Sequence, residues 1–325
     1  MNKLKIGILG TGHLGKIHIK CILLANDYYE LTGFYDPDEA TRKQVAQMHN
    51  IKAFPTPLAL IKNCDVIDIV SPTITHFEMA KMAISAGKHV FIEKPLTHTV
   101  EEGKSLIKLS DEHRVKVQVG HVERFNPALL SLDDMELNPM FIEAHRLATF
   151  NPRGTDVSVV LDLMIHDLDI ILSMVKSEIK SVAANGVSIV SATPDITNAR
   201  IEFQNGCVAN LTASRISLKQ MRKLRLFQPD AYISLDFLDK QAQVVRLYDE
   251  DAPNIPESDN HLTLDTPHGK KVIDISMPEI EPVNAIKLEL ETFAQSILRN
   301  KTPKVSIEDG FRALELAHQI EEQVI

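Results

Sequence analysis

The sequence predicts an α/β protein: an N-terminal doubly wound parallel sheet, then a C-terminal α+β domain with a large, open, mostly antiparallel sheet. Three observations carry this. Lys3 to Leu9 is a short apolar strand that runs into Gly10-Thr11-Gly12-His13-Leu14-Gly15, and an amphipathic stretch from Lys16 to Leu24 follows. Short apolar runs then alternate with helical patterns as far as Val119. Beyond Gly120 the rhythm changes to strand-like runs joined by hairpin signals such as Gln204-Asn205-Gly206.

At 325 residues the chain is long for one core, and the change of rhythm places the expected boundary at 1–121 and 122–325. The C-terminal helices are expected to pack back on the first domain. With 44% apolar and 24% charged residues the composition is that of a globular protein. A net charge of -9 argues against a nucleic-acid or anionic-membrane surface. Cys21, Cys64 and Cys207 are far apart among apolar neighbours, so they read as buried thiols in a reducing compartment. The glycines interrupt the first apolar run too early for a signal peptide, and no stretch approaches a membrane span, so a cytoplasmic location is expected.

In the opening turn, Gly10 permits the tight bend, Gly12 lets backbone approach a pyrophosphate, and Gly15 lets the helix lie close to the sheet. The helix N-terminus, with His13 and Leu14, faces the phosphates. Tyr29 to Tyr35 is a second strand ending at Asp36, 21 residues past Gly15, where a dinucleotide fold places the acid that accepts from the ribose hydroxyls. A carboxylate there repels a 2′-phosphate and favours NAD over NADP. The alternative is that Asp36-Pro37 is a plain turn former.

A helix from Glu39 to Asn50 and a short strand at Lys52 to Phe54 come next. Asp65 to Val70 is a buried strand ending in Ser71-Pro72-Thr73-Ile74-Thr75-His76, and a helix from Phe77 stops at Gly87. His89 to Ile92 leads to Glu93-Lys94-Pro95, followed by a helix (99–112) and a strand (115–119). Ligands of such a sheet sit at the carboxyl ends of its strands. Ser71, Pro72, Thr73, His76, Glu93 and Lys94 therefore join the glycines and Asp36 as candidate cofactor contacts. Strands are expected at 142–148, 179–189, 196–203, 208–216, 223–226, 231–235 and 243–248, interrupted by one helix at 159–175. The stretch 249–282 reads as irregular with one short strand (271–275), and two helices (285–299 and 308–324, the second capped by Ser306) close the chain.

Three groups could carry chemistry. Lys94, one step past a buried strand, would be a usable proton donor or acceptor if desolvated, and an ordinary surface lysine otherwise. Asp162 and His166 are four apart on a helical pattern, with Asp169 a turn further, a spacing that suits proton transfer. No second histidine or cysteine follows on that face, so no metal is expected. Arg215, Lys219, Arg222, Lys223 and Arg225, with Arg124 and Arg153 as possible additions, suit either a phosphorylated substrate or a protected sheet edge.

The glycine turn, Ser71-Pro72-Thr73 with His76, Ala86-Gly87-Lys88-His89-Val90 running into Glu93-Lys94-Pro95, and Asp162-Leu163-Met164-Ile165-His166 together resemble the Gfo/Idh/MocA oxidoreductase family over nearly the whole chain. The resemblance implies a Rossmann domain, an open antiparallel sheet in the second domain, NAD(P)-dependent oxidation or reduction of sugars and cyclitols, and Lys94, Asp162 and His166 as the catalytic set. It also implies a homodimer or homotetramer formed through the second domain's sheet. Val119 to Pro127, with Arg124 and Asn126, and Arg153 are similar to members that oxidise the 3-hydroxyl of UDP-N-acetylglucosamine. These three residues and His166 would then bind substrate. Met164 departs from the glycine or small residue usual before the histidine and is expected to narrow the pocket. Three readings remain beside it: a free-sugar or inositol dehydrogenase, a glycosidase using NAD as a transient oxidant, and a non-catalytic NAD(H) sensor.

Overall fold

The computed structural model describes residues 3–151, 157–253, 255–256, 261–267 and 269–324. The chain divides into two compact units, Met1–Phe125 with Asn284–Glu315, and Asn126–Val283 with Leu316–Ile325.

In the first unit, β1 (Leu4–Leu9), α1 (His13–Leu24), β2 (Tyr29–Tyr35), α2 (Glu39–His49), α3 (Pro57–Ile61), β3 (Val66–Ile69), α4 (His76–Ser85), β4 (His89–Glu93), α5 (Val100–His113) and β5 (Val117–Gly120) alternate in sequence. The strands form a five-stranded parallel sheet in the order β2-β1-β3-β4-β5. Order reverses at β1, which makes its carboxyl end the switch point where such sheets take their ligands. β3 and β5 are buried at every residue, which explains their mainly apolar character; Asp68 and Gln118 are the polar exceptions and are buried with the rest. Helix starts follow local rules: Asp38 accepts from the Thr41 amide at 2.7 Å, and Thr99 and Glu102 form a capping box on α5.

The strand expected at Lys52 to Phe54 is reduced to one parallel bridge between Ala53 and Phe34. Pro55 and Pro57 follow at once, and proline lacks the N–H that would continue a ladder. The bridge still needs Gly33, where a Cβ would lie 2.4 Å from the Lys52 carbonyl oxygen.

The second unit contains α6 (Pro127–Leu130), β6 (Phe141–Leu147), a π-helical turn (Val160–Met164), α7 (Ile165–Met174), and then β7 (Ile179–Val187), β8 (Ile196–Phe203), β9 (Val208–Ser214), β10 (Met221–Gln228), β11 (Ala231–Asp236), β12 (Gln241–Asp249), β13 (Leu262–Thr266) and β14 (Gly269–Ser276). Its nine strands run β13-β14-β12-β11-β10-β6-β9-β8-β7. Every neighbouring pair is antiparallel except β6 with β9. Burial alternates along β8 and β11, and Ala199, Ile201, Phe203, Ile233 and Leu235 face the core. The stretch 249–282, expected to hold one strand, holds the hairpin β13–β14. β13 alternates only over Leu262-Thr263-Leu264, and its first four residues are exposed, so its leucines face no core.

Two helices follow, α8 (Ala285–Leu298) and α9 (Ile307–Val324). α8 belongs to the first unit, where the Tyr29 hydroxyl donates to the Leu290 carbonyl at 2.9 Å and the Gln118 amide donates to the Glu289 carbonyl at 2.9 Å. Ser306 accepts from the Asp309 amide at 3.2 Å, so the second helix is capped as its sequence indicates. All three cysteines are free and buried, and burial pushes Cys64 and Cys207 up to about 11, which makes them poor nucleophiles. Among the described residues no helix is long and apolar enough to cross a membrane.

The glycine turn gives a direct test of packing. A Cβ at Gly15 would lie 2.2 Å from the Gly10 carbonyl oxygen, whereas one at Gly12 meets nothing within 4 Å. Gly15→Ala is expected to cost about 1–3 kcal/mol, the usual range for overpacking. Gly12→Ala should stay within about 0.5 kcal/mol of wild type, as substitutions that touch no packed atom do. Urea unfolding of the two variants compares them.

Candidate active site

The first part of the site is the turn after β1. Gly10 has φ +94°, and a Cβ there would lie 2.8 Å from the Ser71 backbone. Both constraints require glycine and bring the β1 and β3 ends together. Gly12 precedes α1 with no side-chain cap, and the first turn carries no acid. The leading amides of α1 are thus left for an anion, with the positive end of the helix dipole behind them. His13 and Leu14 are exposed beside Gly12.

Asp36 is buried to 8% exposure and fastens this turn. Its Oδ2 accepts from the Thr11 amide at 2.8 Å and the Thr11 hydroxyl at 3.0 Å, and its Oδ1 accepts from the Asp38 amide at 3.0 Å. An ionised carboxylate has about four acceptor positions, so room for one further donor remains beside the three in use. The Gly12 approach, the uncapped helix and this carboxylate together fit a dinucleotide.

The β3 and β4 ends are tied to each other by His76. Its Nε2 lies 2.9 Å from the Ser71 carbonyl oxygen and its Nδ1 lies 2.9 Å from the Pro95 carbonyl oxygen. Burial holds its pKa below the usual imidazole range. His76 is 1% exposed, so its structural contribution is to hold Ser71 and Pro95 rather than to face outward. Ser71 and Thr75 share a hydroxyl hydrogen bond at 2.6 Å, which fixes the short Thr73–Thr75 turn. Lys94 is half-buried, between a buried Glu93 and a cis peptide bond to a buried Pro95. Glu93 Oε2 accepts from the Lys94 amide at 3.2 Å.

In the second unit, the helix expected at 159–175 begins with a π turn. Asp162 lies within that turn and His166 on the first turn of α7, and both are half-buried. Such a widened turn is frequent at functional sites. Asp169, grouped with them by spacing, is 1% exposed and turned to the interior. Met164 is fully buried, so it packs the core and does not narrow an accessible pocket. Behind His166, Arg146 of β6 grips Asp167 with two bonds, 2.9 Å and 2.7 Å, both residues 4% exposed.

Arg124 lies 4.0 Å from Asp309, within the first unit. The Asn126 amide serves the chain itself, donating to the Phe237 carbonyl at 3.0 Å and accepting from the Ala128 amide at 3.1 Å. Arg153 lies outside the described residues. The basic run does not form one patch. Arg215 is buried 3.7 Å from Asp195, Lys223 pairs with Asp236 at 3.3 Å, and Arg225 pairs with Glu143 at 3.1 Å. Nor is it a sheet edge, because β10 is fifth of nine strands. Sequence proximity shows neither the acids on neighbouring strands nor the strand's place in the sheet.

Cutting the Arg146–Asp167 pair leaves one buried charge uncompensated. Arg146→Met should lower stability by about 3–5 kcal/mol, the range for a broken buried pair. Guanidinium unfolding measures the loss, and a cost below about 1 kcal/mol, as for an exposed pair, would show that this bond does not seat the His166 helix.

Known proteins match this architecture. Residues 4–121 match the oxidoreductase family with an NAD-binding Rossmann fold, GFO_IDH_MocA, and residues 141–229 match a GFO/IDH/MocA C-terminal domain. The UDP-N-acetylglucosamine 3-dehydrogenase of Acidithiobacillus ferrooxidans is 37% identical over 257 residues, covering 79% of this chain and 81% of that protein. A solved structure of that enzyme superposes with a TM-score of 0.89 at 34% identity over 100% of this chain and 98% of the other. The scyllo-inositol 2-dehydrogenase (NAD(+)) of Bacillus subtilis is 30% identical over 234 residues, 66% of this chain and 68% of that protein. With its nucleotide-type turn, two-sheet architecture and these relatives, the chain belongs to the Gfo/Idh/MocA oxidoreductase family and is a nicotinamide-dependent dehydrogenase acting on CH–OH groups.

Proposed function

We propose that the protein transfers hydride between the 3-hydroxyl of a UDP-N-acetylhexosamine and NAD. The observation that carries the substrate is the 37% identity, over 79% of the chain, to a UDP-N-acetylglucosamine 3-dehydrogenase. The preference for NAD rests on Asp36, whose carboxylate at the end of β2 repels a 2′-phosphate. The residues proposed to hold the cofactor are Gly10, Gly12, His13, Leu14, Gly15, Asp36, Ser71, Pro72, Thr73, His76, Glu93 and Lys94. Arg124, Asn126, Arg153 and His166 are proposed for the substrate. A homo-oligomer formed through the sheet of the second unit and a cytoplasmic location complete the reading.

NAD, when bound, supplies the hydride acceptor. His166 takes the proton from the reacting hydroxyl, Lys94 hydrogen-bonds the same oxygen, and Asp162 orients and tunes the pair. Half-burial suits this work, since each group is partly shielded from bulk water yet open to a ligand. A positioned acid or base of this kind is worth about 10²–10⁴ in rate. A free inositol is the second reading, favoured by the 30% identical scyllo-inositol 2-dehydrogenase.

Purified protein incubated with NAD and a panel of UDP-sugars, free hexoses and inositols, followed by nicotinamide absorbance, tests the substrate. Fastest turnover with UDP-N-acetylglucosamine is expected, and faster turnover of an inositol would replace this reading with the second. Lys94→Ala and His166→Ala should each lose about 10²–10⁴ in kcat, the worth of a positioned proton carrier, and His166→Ala should bind NAD as wild type does. Near-normal rates in either variant would remove that residue from the catalytic set.

A further inference from the structure

Beneath the carboxyl ends of β3 and β4 lies a buried group of ionisable side chains, of which only Glu93 is among the proposed cofactor contacts. His18 of α1 and Asp68 of β3 are both 0% exposed, and their Nδ1 and Oδ2 are 2.9 Å apart. On the other side of the ring, His18 Nε2 lies 3.1 Å from Glu93 Oε1 at the end of β4. Glu289 of α8 completes the group. It is 0% exposed, neither of its oxygens has a hydrogen-bonding partner, and one of them lies within 4.8 Å of a Glu93 oxygen and of a His18 ring nitrogen. Phe91 packs edge-on against His18 at 5.8 Å between ring centroids and holds the plane of the imidazole.

Charge balance follows from this geometry. Three carboxylates cannot all ionise inside a dry interior beside one imidazole. Burial opposes a charge on His18, but Asp68 and Glu93 outweigh it and hold the ring well above the usual imidazole range. Glu289 is held well above the usual carboxylate range by burial and by the Glu93 charge, so it is neutral. Burial also raises Asp68 against the pull of His18. The remaining groups turned to the cluster, Tyr29 from β2 and Cys21 from α1, are raised by burial and stay uncharged.

We infer that His18 is a positioning residue for Lys94: hydrogen-bonded to Asp68 behind and ion-paired with Glu93 in front, it fixes the carboxylate whose other oxygen takes the Lys94 amide. The inference rests on the reading of Lys94 as catalytic. Two further contacts show how little freedom Glu93 has. Gly120 of β5 lies directly against it, and a Cβ there would sit 2.8 Å from Glu93 Oε1. On the far side of Lys94, Pro95 is held through its carbonyl by His76 at 2.9 Å. Lys94 is therefore bracketed by two buried histidines, one acting through Glu93 and the other through Pro95. If His18 loses its proton, its Nε2 presents a lone pair to Glu93 and the front contact turns repulsive. A divalent cation held by His18, Glu93 and Glu289 is the rival occupant. It requires Glu289 to ionise, against the burial that keeps it neutral.

A double-mutant cycle tests the inference. His18→Gln should lower kcat about 10- to 100-fold with the NAD dissociation constant within about threefold of wild type, the range for lost orientation without lost binding. His18→Gln combined with Lys94→Ala should be no slower than Lys94→Ala alone, and multiplicative losses would overturn the inference. Asp68→Asn should move the alkaline limb of the kcat–pH profile down by about one pH unit or more, because the charge that holds the His18 proton is gone. An unmoved limb would overturn it. Gly120→Ala keeps every ionisable group and displaces Glu93; it should lower kcat in the same way, and wild-type turnover would overturn the inference even if His18→Gln failed to fold. Glu289→Gln keeps the shape of the neutral acid. Wild type loses stability as pH rises from the unfolded carboxylate pKa towards the raised folded one, so the Tm of the variant should gain on wild type as pH rises above the ordinary carboxylate range. A parallel response, or a stoichiometric divalent metal in the purified protein by mass spectrometry, overturns the charge assignment. If Lys94→Ala turns over normally, the catalytic reading of Lys94 fails first; if it is slow while the cycle is additive, only the positioning role fails.

Discussion

The close approach of backbone to backbone at the end of β1 is the constraint on which the first unit depends. Gly10 lets Ser71 come in from β3, and Gly15 lets α1 rest on the Gly10 carbonyl. Asp36 then pins the turn through Thr11. With α1 seated at that depth, the next turn of the helix delivers His18 to Asp68 and Glu93. One steric requirement thus sets both the open amides at the helix start and the buried charge cluster underneath. A side chain at Gly15 would lift the helix and loosen both.

The second unit solves a different problem. Its broad, mostly antiparallel sheet must carry one helix that keeps Asp162 and His166 half-buried while most of the rest is buried. The Arg146–Asp167 fork locks that helix to β6, and the π turn at its start gives the extra backbone width that places Asp162. Most buried charges here are matched in this way. Asp195 shows the same economy at a loop: its Oδ2 takes the amides of Ile189, Val190 and Ser191. These backbone bonds hold its carboxyl below the usual range, even though burial pulls the other way.

Much of this was legible in the sequence because it rests on local rules. The glycine spacing, Asp36 at the end of the second strand, the Thr99 and Ser306 caps and the apolar alternation of β8 each act within a few residues, so periodicity and turn chemistry reveal them. What failed to show was long-range. β13 is an exposed edge of five residues with only Leu262 and Leu264 to mark it, Lys52 to Phe54 is a strand cut short by prolines, and Met164 looks like a pocket residue yet is buried. The basic run dissolves into pairs with Asp195 from a loop and with Asp236 and Glu143 from other strands.

The sequence by itself determined the class of fold, the position of the nucleotide turn and the residues that belong to the family's motifs, because those depend on spacing along one strand or one helix. Tertiary structure alone decided what surrounds them. Only packing brings His18, Asp68, Glu93 and Glu289, from four separate elements, into one dry cluster. Only there does burial make the charge on one residue the concern of the next. Ionisation in a low-dielectric interior is a property of the assembled neighbourhood, and no stretch of sequence carries it.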